Sequence, residues 1–356
     1  MKIENMALLQ IVGLALLASS SLLAMTISGF RLNQVDSSLE VVAEGFHLRF
    51  PTRDVEKGDT YQFIKLRIPY DAFTITSISP EPTFVGKTHH FTLWLCSGSI
   101  VGSEGNVVSY EGGGEETCKD RFSLVGFDNM DGNQKPTTYT FPPGFGTLVG
   151  REAFFTHAMI EIHFNAPCEA DTSAFIVAGI AKRQPGFRQV SSLILSTRAS
   201  SPPLPPGKDA VTAKIHPMVL KTAARLLITH FHFHKYGTSI QFNAVSSDGK
   251  TTYFSQSYVR AISASNTVIV DVPLPAGAVL KAQCVYNTTS AEAPINTGFK
   301  STDEMCNVFI VAANQDASCD ATKESCTVVA RDVLSAAAAA TTSASTFSLV
   351  RAMTNK

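Results

Sequence analysis

The chain has 356 residues, 44% apolar and 17% charged, the make-up of a globular protein with core material for about two domains. A formal net charge of −1 leaves no basic field to hold nucleic acid or an anionic membrane surface, so a nucleic-acid role is set aside.

Residues 1–25 come first. Lys2 precedes an apolar run from Met6 to Leu23, with the small residues Ser19, Ser20, Ser21 and Ala24 near its end. That layout is a secretory signal peptide cleaved near Ser20 or Ala24. The run is also long enough for an uncleaved membrane anchor, the one route by which this chain would meet a bilayer. Either reading sends the remainder into the secretory pathway or outside the cell. Seven cysteines fit that compartment, as disulfides plus one leftover thiol. Asn287-Thr288-Thr289 is a glycosylation sequon and adds to the expectation of a secreted glycoprotein.

After residue 40, short β-type runs alternate with Gly, Pro, Asn and Asp clusters. The predicted strands include Tyr61–Pro69, Phe91–Leu95, Met159–Phe164, Ala174–Ile180, Leu226–Phe233, Thr267–Val272 and Val308–Ala312. No long helical period appears, so the fold is expected to be all-β. Ser-Pro-Pro-Leu-Pro-Pro-Gly within Arg198–Asp209 reads as a stiff connector. It separates expected domains at 40–197 and 210–331, giving two tandem antiparallel β-sandwiches of jelly-roll-like form. Residues 332–356, with an Ala/Ser/Thr run from Ser335 to Thr346, read as a low-complexity tail.

Six of the nine histidines lie on or at the start of these strands. His89 and His90 open HHFTLWLC. Adjacent strand residues point to opposite faces, so both reach one ion only at a strand end, at a bulge or through different ring nitrogens. His163 sits in MIEIHFN. His230, His232 and His234 alternate along LLITHFHFHKYG and share one face, so His232 and His234 can take the same ion. The bland alternative is a row of hydrogen-bonded core or surface histidines. Imidazole-only sites suit Zn, Cu or Ni, and a Met thioether would favour Cu(I). Spacing does not select that Met among eight.

Taken in order, the segments resemble the copper type II, ascorbate-dependent monooxygenases, which include the peptidylglycine α-hydroxylating and dopamine β-monooxygenases. The resemblance runs from about Phe46 to about Ala313. It is carried by FHLRFPTRDVEKGDTYQFIKLRIP, HHFTLWLC, PPGFGTLVG before IEIHF, PPGKDAVTAKI before HFHKYG, AQCVYNTT and STDEMCNVFI. It implies two copper ions per chain: one on His89, His90 and His163, the other on His232, His234 and Met305. The second group is the catalytic one, and the two are expected as separate triads about a solvent-facing gap. It also implies O₂ and ascorbate as reactant and reductant, and a small-molecule or peptide substrate. Cys96 would pair with Cys118, and Cys284 with Cys306. A further family disulfide has lost both halves, with Phe63 at one of its positions. Cys168, Cys319 and Cys326 are left, one of them unpaired or bonded elsewhere.

Substrate positions depart from the peptide-amidating pattern. Those members hold the substrate carboxylate with an Arg two residues before H-x-H and a Tyr four after the Met. Here these are His230 and Phe309, and only Asn307 is retained. A bidentate fork and a phenolic donor are thereby lost. Glu161, two residues before His163, resembles the catecholamine-hydroxylating branch and would hold an amine; a solvated strand carboxylate is the plain alternative. The expected activity is hydroxylation of a C–H bond in an amine-like or peptide-like substrate. A secreted copper-binding sandwich without turnover, and a structural zinc sandwich, are the competing readings. A hydrolase is disfavoured, since no G-x-S-x-G motif accompanies a fitting His.

Overall fold

A computed structural model describes residues 39–332 except 43–44, 84–85, 99–104, 106, 112–120, 129–135, 171, 181–185, 198–200, 264, 299, 301, 317–318, 320–321, 324–327 and 329. The expected leader (1–25), the tail beyond Asp332, Cys118 and Cys326 lie outside the described residues.

Every regular element among the described residues is a strand. In chain order they are β1 (Leu39–Val42), β2 (Gly45–Pro51), β3 (Thr60–Arg67), β4 (Phe73–Glu81), β5 (Thr88–Cys96), β6 (Val108–Glu111) and β7 (Arg121–Asp128). Then come β8 (Tyr139–Thr140), β9 (Phe145–Val149), β10 (His157–Phe164), β11 (Thr172–Ile180), β12 (Arg188–Ser196), β13 (Val211–Lys214) and β14 (Met218–Leu220). Last are β15 (Ala224–His232), β16 (Gly237–Val245), β17 (Thr252–Val259), β18 (Thr267–Leu274), β19 (Val279–Tyr286), β20 (Asn307–Asn314) and β21 (Ala330–Asp332). The all-β class expected from the sequence is therefore found. The seven predicted runs correspond to β3, β5, β10, β11, β15, β18 and β20, with ends differing by at most three residues.

Three sheets organise the chain. A five-stranded sheet has the order β6-β3-β10-β5-β7, and a six-stranded one contains β17-β16-β19-β14-β21 with β13 beside β19. The ten-stranded sheet runs β1-β2-β11-β4-β9-β12-β20-β15-β18, with β8 beside β4. It joins the two halves of the sequence, because β12 pairs antiparallel with β20 from Val190↔Ala313 to Ser196↔Asn307.

Alternation decides what each face does. On the five-stranded sheet, Ile64, Leu66, Leu93, Leu95, Ile160 and Ile162 enter a first core with Phe46, Leu48, Phe175 and Val177 of the long sheet. On and just after β15, and on β20, Phe231, Phe233, Val308 and Ile310 enter a second core with Ile240, Phe242, Leu280 and Ala282 of the six-stranded sheet. Removing either cluster's burial would cost each large side chain roughly 1.5–3 kcal/mol. The faces turned away from these cores carry the histidines.

Two fastenings matter for the second half. Cys284 and Cys306 form a disulfide across β19 and the start of β20, as the resemblance implied. The Pro-rich segment is tied down as well: Leu204 pairs with Ile295, and Thr288 Oγ1 donates to the Pro205 carbonyl at 2.7 Å. Of the other cysteines, Cys96 and Cys319 are disulfide-bonded and Cys168 is a buried free thiol.

Candidate metal centre

The polar face of the five-stranded sheet is laid out by register. His163 of β10 lies opposite Tyr61 of β3 and His90 of β5, and Glu161 opposite Phe63 and Thr92. His89 is brought to the same face by an irregularity. Between His163↔His90 and Phe164↔Thr88 the ladder skips His89, so β5 carries one extra residue there. This bulge is the device that lets neighbouring residues serve one site.

The facing group comes from the long sheet. His230 and His232 lie opposite Phe309 and Asn307 of β20. Directly opposed residues share a face. The Asn307 amide donates to Met305 Sδ at 3.3 Å, while its Oδ1 accepts from Ser196 Oγ at 2.6 Å. Met305 is thus on the His232 side of the strand, and Tyr286 Oη holds its carbonyl at 2.9 Å.

Five imidazoles converge. The ligand atoms of His89, His232 and His234 lie within 4.8 Å of one another, and so do those of His89, His90 and His163. The separate triads about a solvent-facing gap, expected from the sequence, are not what the fold builds. The two groups adjoin, with His163 fully buried and His89, His232, His234 and Met305 all less than one-tenth exposed. The reason is that the two histidine-bearing faces stack: Ile194 of β12 packs against Tyr61, Phe63, Trp94, Cys96 and Met159.

The outer ring nitrogens of His234, His163 and His90 have partners that fix their tautomers. His234 Nδ1 donates to the Asp303 carbonyl at 2.7 Å, which leaves the Nε2 lone pair for a ligand. His163 Nε2 donates to Asp59 Oδ1 at 3.1 Å, and His90 Nε2 to Glu161 Oε1 at 2.9 Å. Both then offer Nδ1. Tyr61 stacks on the His163 ring at 3.9 Å and fixes its plane. Asp59 occupies the left-handed region (φ 62°), which Asp tolerates better than most residues and which turns its carboxylate inward.

Electrostatics point the same way. Burial first, and neighbouring imidazoles second, hold His234 down to about 3 and His89 well below the ordinary histidine range. Burial takes His163 to about 4 against the opposing pull of Asp59. These rings are neutral at physiological pH, with lone pairs exposed to the centre. His89 Nε2, His163 Nδ1 and His234 Nε2 are buried without a hydrogen bond, a costly state unless a cation occupies the space between them. Five imidazoles with one thioether suit copper, because sulfur favours Cu(I) over the hard cations.

One anchor was not legible in the sequence. Glu304, fully buried beside Met305, accepts the backbone N–H groups of His234 (3.0 Å) and Tyr236. Arg260 reinforces the same turn by donating to the carbonyls of His234 and Lys235. Burial pushes the Glu304 carboxyl up to about 7 against those hydrogen bonds. Its one sequence signal was a carboxylate at the entrance of an apolar strand, in STDEMCNVFI.

The residues expected to contact substrate have their own partners. His230 Nδ1 shares a hydrogen bond with Thr267 Oγ1 (2.8 Å) and its ring meets Phe309 edge-on at 5.8 Å. Glu161, expected to hold an amine, accepts from His90 Nε2 through Oε1. Asp59→Asn keeps the backbone conformation but removes the charge behind His163. Copper affinity of that group is expected to fall about 10–100-fold, measured by competition with a chelator.

Residues 192–332 match the family described as copper type II ascorbate-dependent monooxygenase, C-terminal domain. The peptidylglycine alpha-amidating monooxygenase of Rattus norvegicus is 25% identical over 273 residues, 74% of this chain and 26% of that protein. The Mus musculus protein of the same description gives the same values. Peptidyl-glycine alpha-amidating monooxygenase A of Xenopus laevis is 23% identical over 270 residues, 74% of this chain and 27% of that protein. The chain spans about a quarter of the length of these relatives. Among solved structures, the major capsid protein P2 from bacteriophage PM2 aligns over 78% of this chain and 95% of that one, at 10% identity and a TM-score of 0.29, too low to carry an argument.

Proposed function

We propose that the chain belongs to the copper type II ascorbate-dependent monooxygenase family and that it hydroxylates a C–H bond of a small amine-like or peptide-like substrate with O₂. The observation that carries this reading is the convergence of five imidazoles, of which burial holds His89, His163 and His234 neutral, with the outer nitrogens of His234, His163 and His90 already bonded. Two copper ions, reduced by ascorbate, would supply the O₂ chemistry, one oxygen atom entering the substrate and the other leaving as water.

The chain's own residues have separable tasks. His90 and His163 present Nδ1, each backed by a carboxylate that fixes its ring. His232, His234 and Met305 form the group at which catalysis is assigned. Its thioether favours the reduced metal, the form that meets O₂. Burial keeps bulk water from the centre.

Substrate contacts are assigned to His230, Phe309, Asn307 and Glu161. His230 and Phe309 supply neither a guanidinium fork nor a phenol, so a carboxylate-terminated peptide is disfavoured. Glu161 has its first duty to His90 and reaches an amine only through its remaining lone pairs. The division at 198–209 is kept, since the family match begins at residue 192, beside that connector. Passage through the secretory route, with a leader removed or retained at 1–25, agrees with the Cys284–Cys306 disulfide. Asn287 is exposed and a candidate for glycosylation.

The test is oxygen uptake by the copper-loaded protein with ascorbate, screened against amines and glycine-extended peptides. Substrate-dependent uptake with equimolar hydroxylated product is expected. Tight copper binding with no uptake on any substrate would favour the non-catalytic copper-binding reading.

A further inference from the structure

Among the described residues, three large apolar side chains are exposed: Ile180, Ile262 and Ile269. Register places Ile269 beside residues already assigned to the substrate. His230 lies opposite Phe309 on β20 and Thr267 on β18. Two residues back along β15, Ile228 lies opposite Val311 and Ile269. All six therefore share one face of the long sheet. Ile228 and Val311 are closed over by the first core, whereas Ile269, the outer member of its row on the last strand of the sheet, is 64% exposed. Phe309 and Thr267 are half-buried. A strip of apolar surface thus leads from Phe309 and Thr267 to Ile269, away from His232.

An isolated exposed aliphatic is ordinary, so the meaning of Ile269 lies in its surroundings. The polar groups beside the strip are paired with one another. Thr267 Oγ1 is bonded to His230 Nδ1 at 2.8 Å, and the charge of Asp271 is taken up by Arg225. What this stretch of β18 offers a ligand is apolar contact. Its extent falls far short of the roughly 800 Å² per partner that a stable protein interface buries, which points to a small occupant. We propose that Ile269 and Phe309 seat an alkyl or aryl group of the substrate, remote from the C–H bond that reacts. Ile228, in the row of Ile269, is four residues from His232, roughly 13 Å along the strand. The substrate class selected is therefore an amine that carries an extended apolar chain or ring; a short polar amine leaves the seat empty. This deepens the hydroxylation reading and rests on it.

Isothermal titration of the copper-loaded full-length protein with n-butylamine, n-hexylamine and n-octylamine tests the seat without turnover. The dissociation constant is expected to fall about fourfold for each methylene that reaches the strip. Ile269→Ser is expected to weaken n-octylamine by roughly tenfold and n-butylamine little, while Ile269→Val keeps most of the chain-length dependence. Ile180→Ser removes an exposed aliphatic at the end of β11 and is the control; it leaves the series unchanged. Both positions are solvent-exposed, so neither variant puts the fold at stake. Equal constants across the series, or n-octylamine binding indifferent to Ile269→Ser, overturn the seat and leave the copper reading intact. A dimer in solution that Ile269→Ser dissociates also overturns it, by giving the strip another occupant. Chain-length-dependent binding with no oxygen uptake on n-octylamine and ascorbate overturns the hydroxylation reading, while the seat stands as a binding site.

Discussion

Glu304→Ala is expected to lower the folding stability by roughly 3–5 kcal/mol, seen as a shifted denaturant midpoint in the metal-free protein. The carboxylate has no contact with solvent and receives the N–H groups of His234 and Tyr236. Removing it orphans both donors at roughly 1–3 kcal/mol each. It also removes the negative charge that faces Arg260. Glu304→Gln separates shape from charge, since its amide oxygen accepts one of the two bonds while its NH₂ opposes the other donor. An intermediate loss is expected. The turn from His234 to Tyr236 carries a ring of the metal centre, so both variants should also weaken copper binding at His232 and His234. Binding at His90 and His163 should change less. Equal stability of Glu304→Ala and the unaltered protein would mean that the buried carboxylate clamps nothing.

Acid should destabilise the metal-free protein well above the ordinary carboxylate range. His89, His163 and His234 are held low in the folded state, while the unfolded chain protonates them below about 6.5. Depressed histidines confer stability that is lost as pH falls from the unfolded value toward the folded one. Glu304 acts oppositely: its raised folded value costs stability as pH climbs from about 4.5 to about 7. Near pH 5.5 the unfolded state gains about three protons on the histidines against about one retained on Glu304 in the fold. The net difference of about two gives a slope of up to roughly 2.7 kcal/mol per pH unit, stability rising with pH. Urea midpoints between pH 5 and 6.5 measure it. A flat profile would mean that these rings are solvated and protonate freely. Copper needs the neutral rings, so the loaded protein should show a steeper loss in acid.

How much of this was legible without coordinates follows from the range of each interaction. Strands such as β10 and β15 were legible because alternation and β-branched content are local. The H-x-H pair was legible for the same reason, since a period of two puts His232 and His234 on one face. The His89-His90 pair was legible only as a condition, a bulge or a strand end, and the residue skipped between His163↔His90 and Phe164↔Thr88 supplies it. Asp59, Glu161 and Glu304 were not legible in their present roles. Their partners lie 104, 71 and 70 residues away, and only sheet order brings them together. The closeness of the two groups was least accessible. It depends on which sheet faces stack, as Ile194 against Trp94 and Met159 does, and no local pattern encodes that. The cysteines divide likewise: Cys284–Cys306 followed from the resemblance, while the free thiol at Cys168 emerged only from the fold.

The central claim is that copper sits among these imidazoles with the Met305 thioether at one group. X-ray absorption on the ascorbate-reduced protein, beside Met305→Leu, tests it most directly. The predicted result is imidazole scattering at both coppers with a sulfur contribution that disappears in the variant. A sulfur-free spectrum in the unaltered protein, or one unchanged by Met305→Leu, would contradict it.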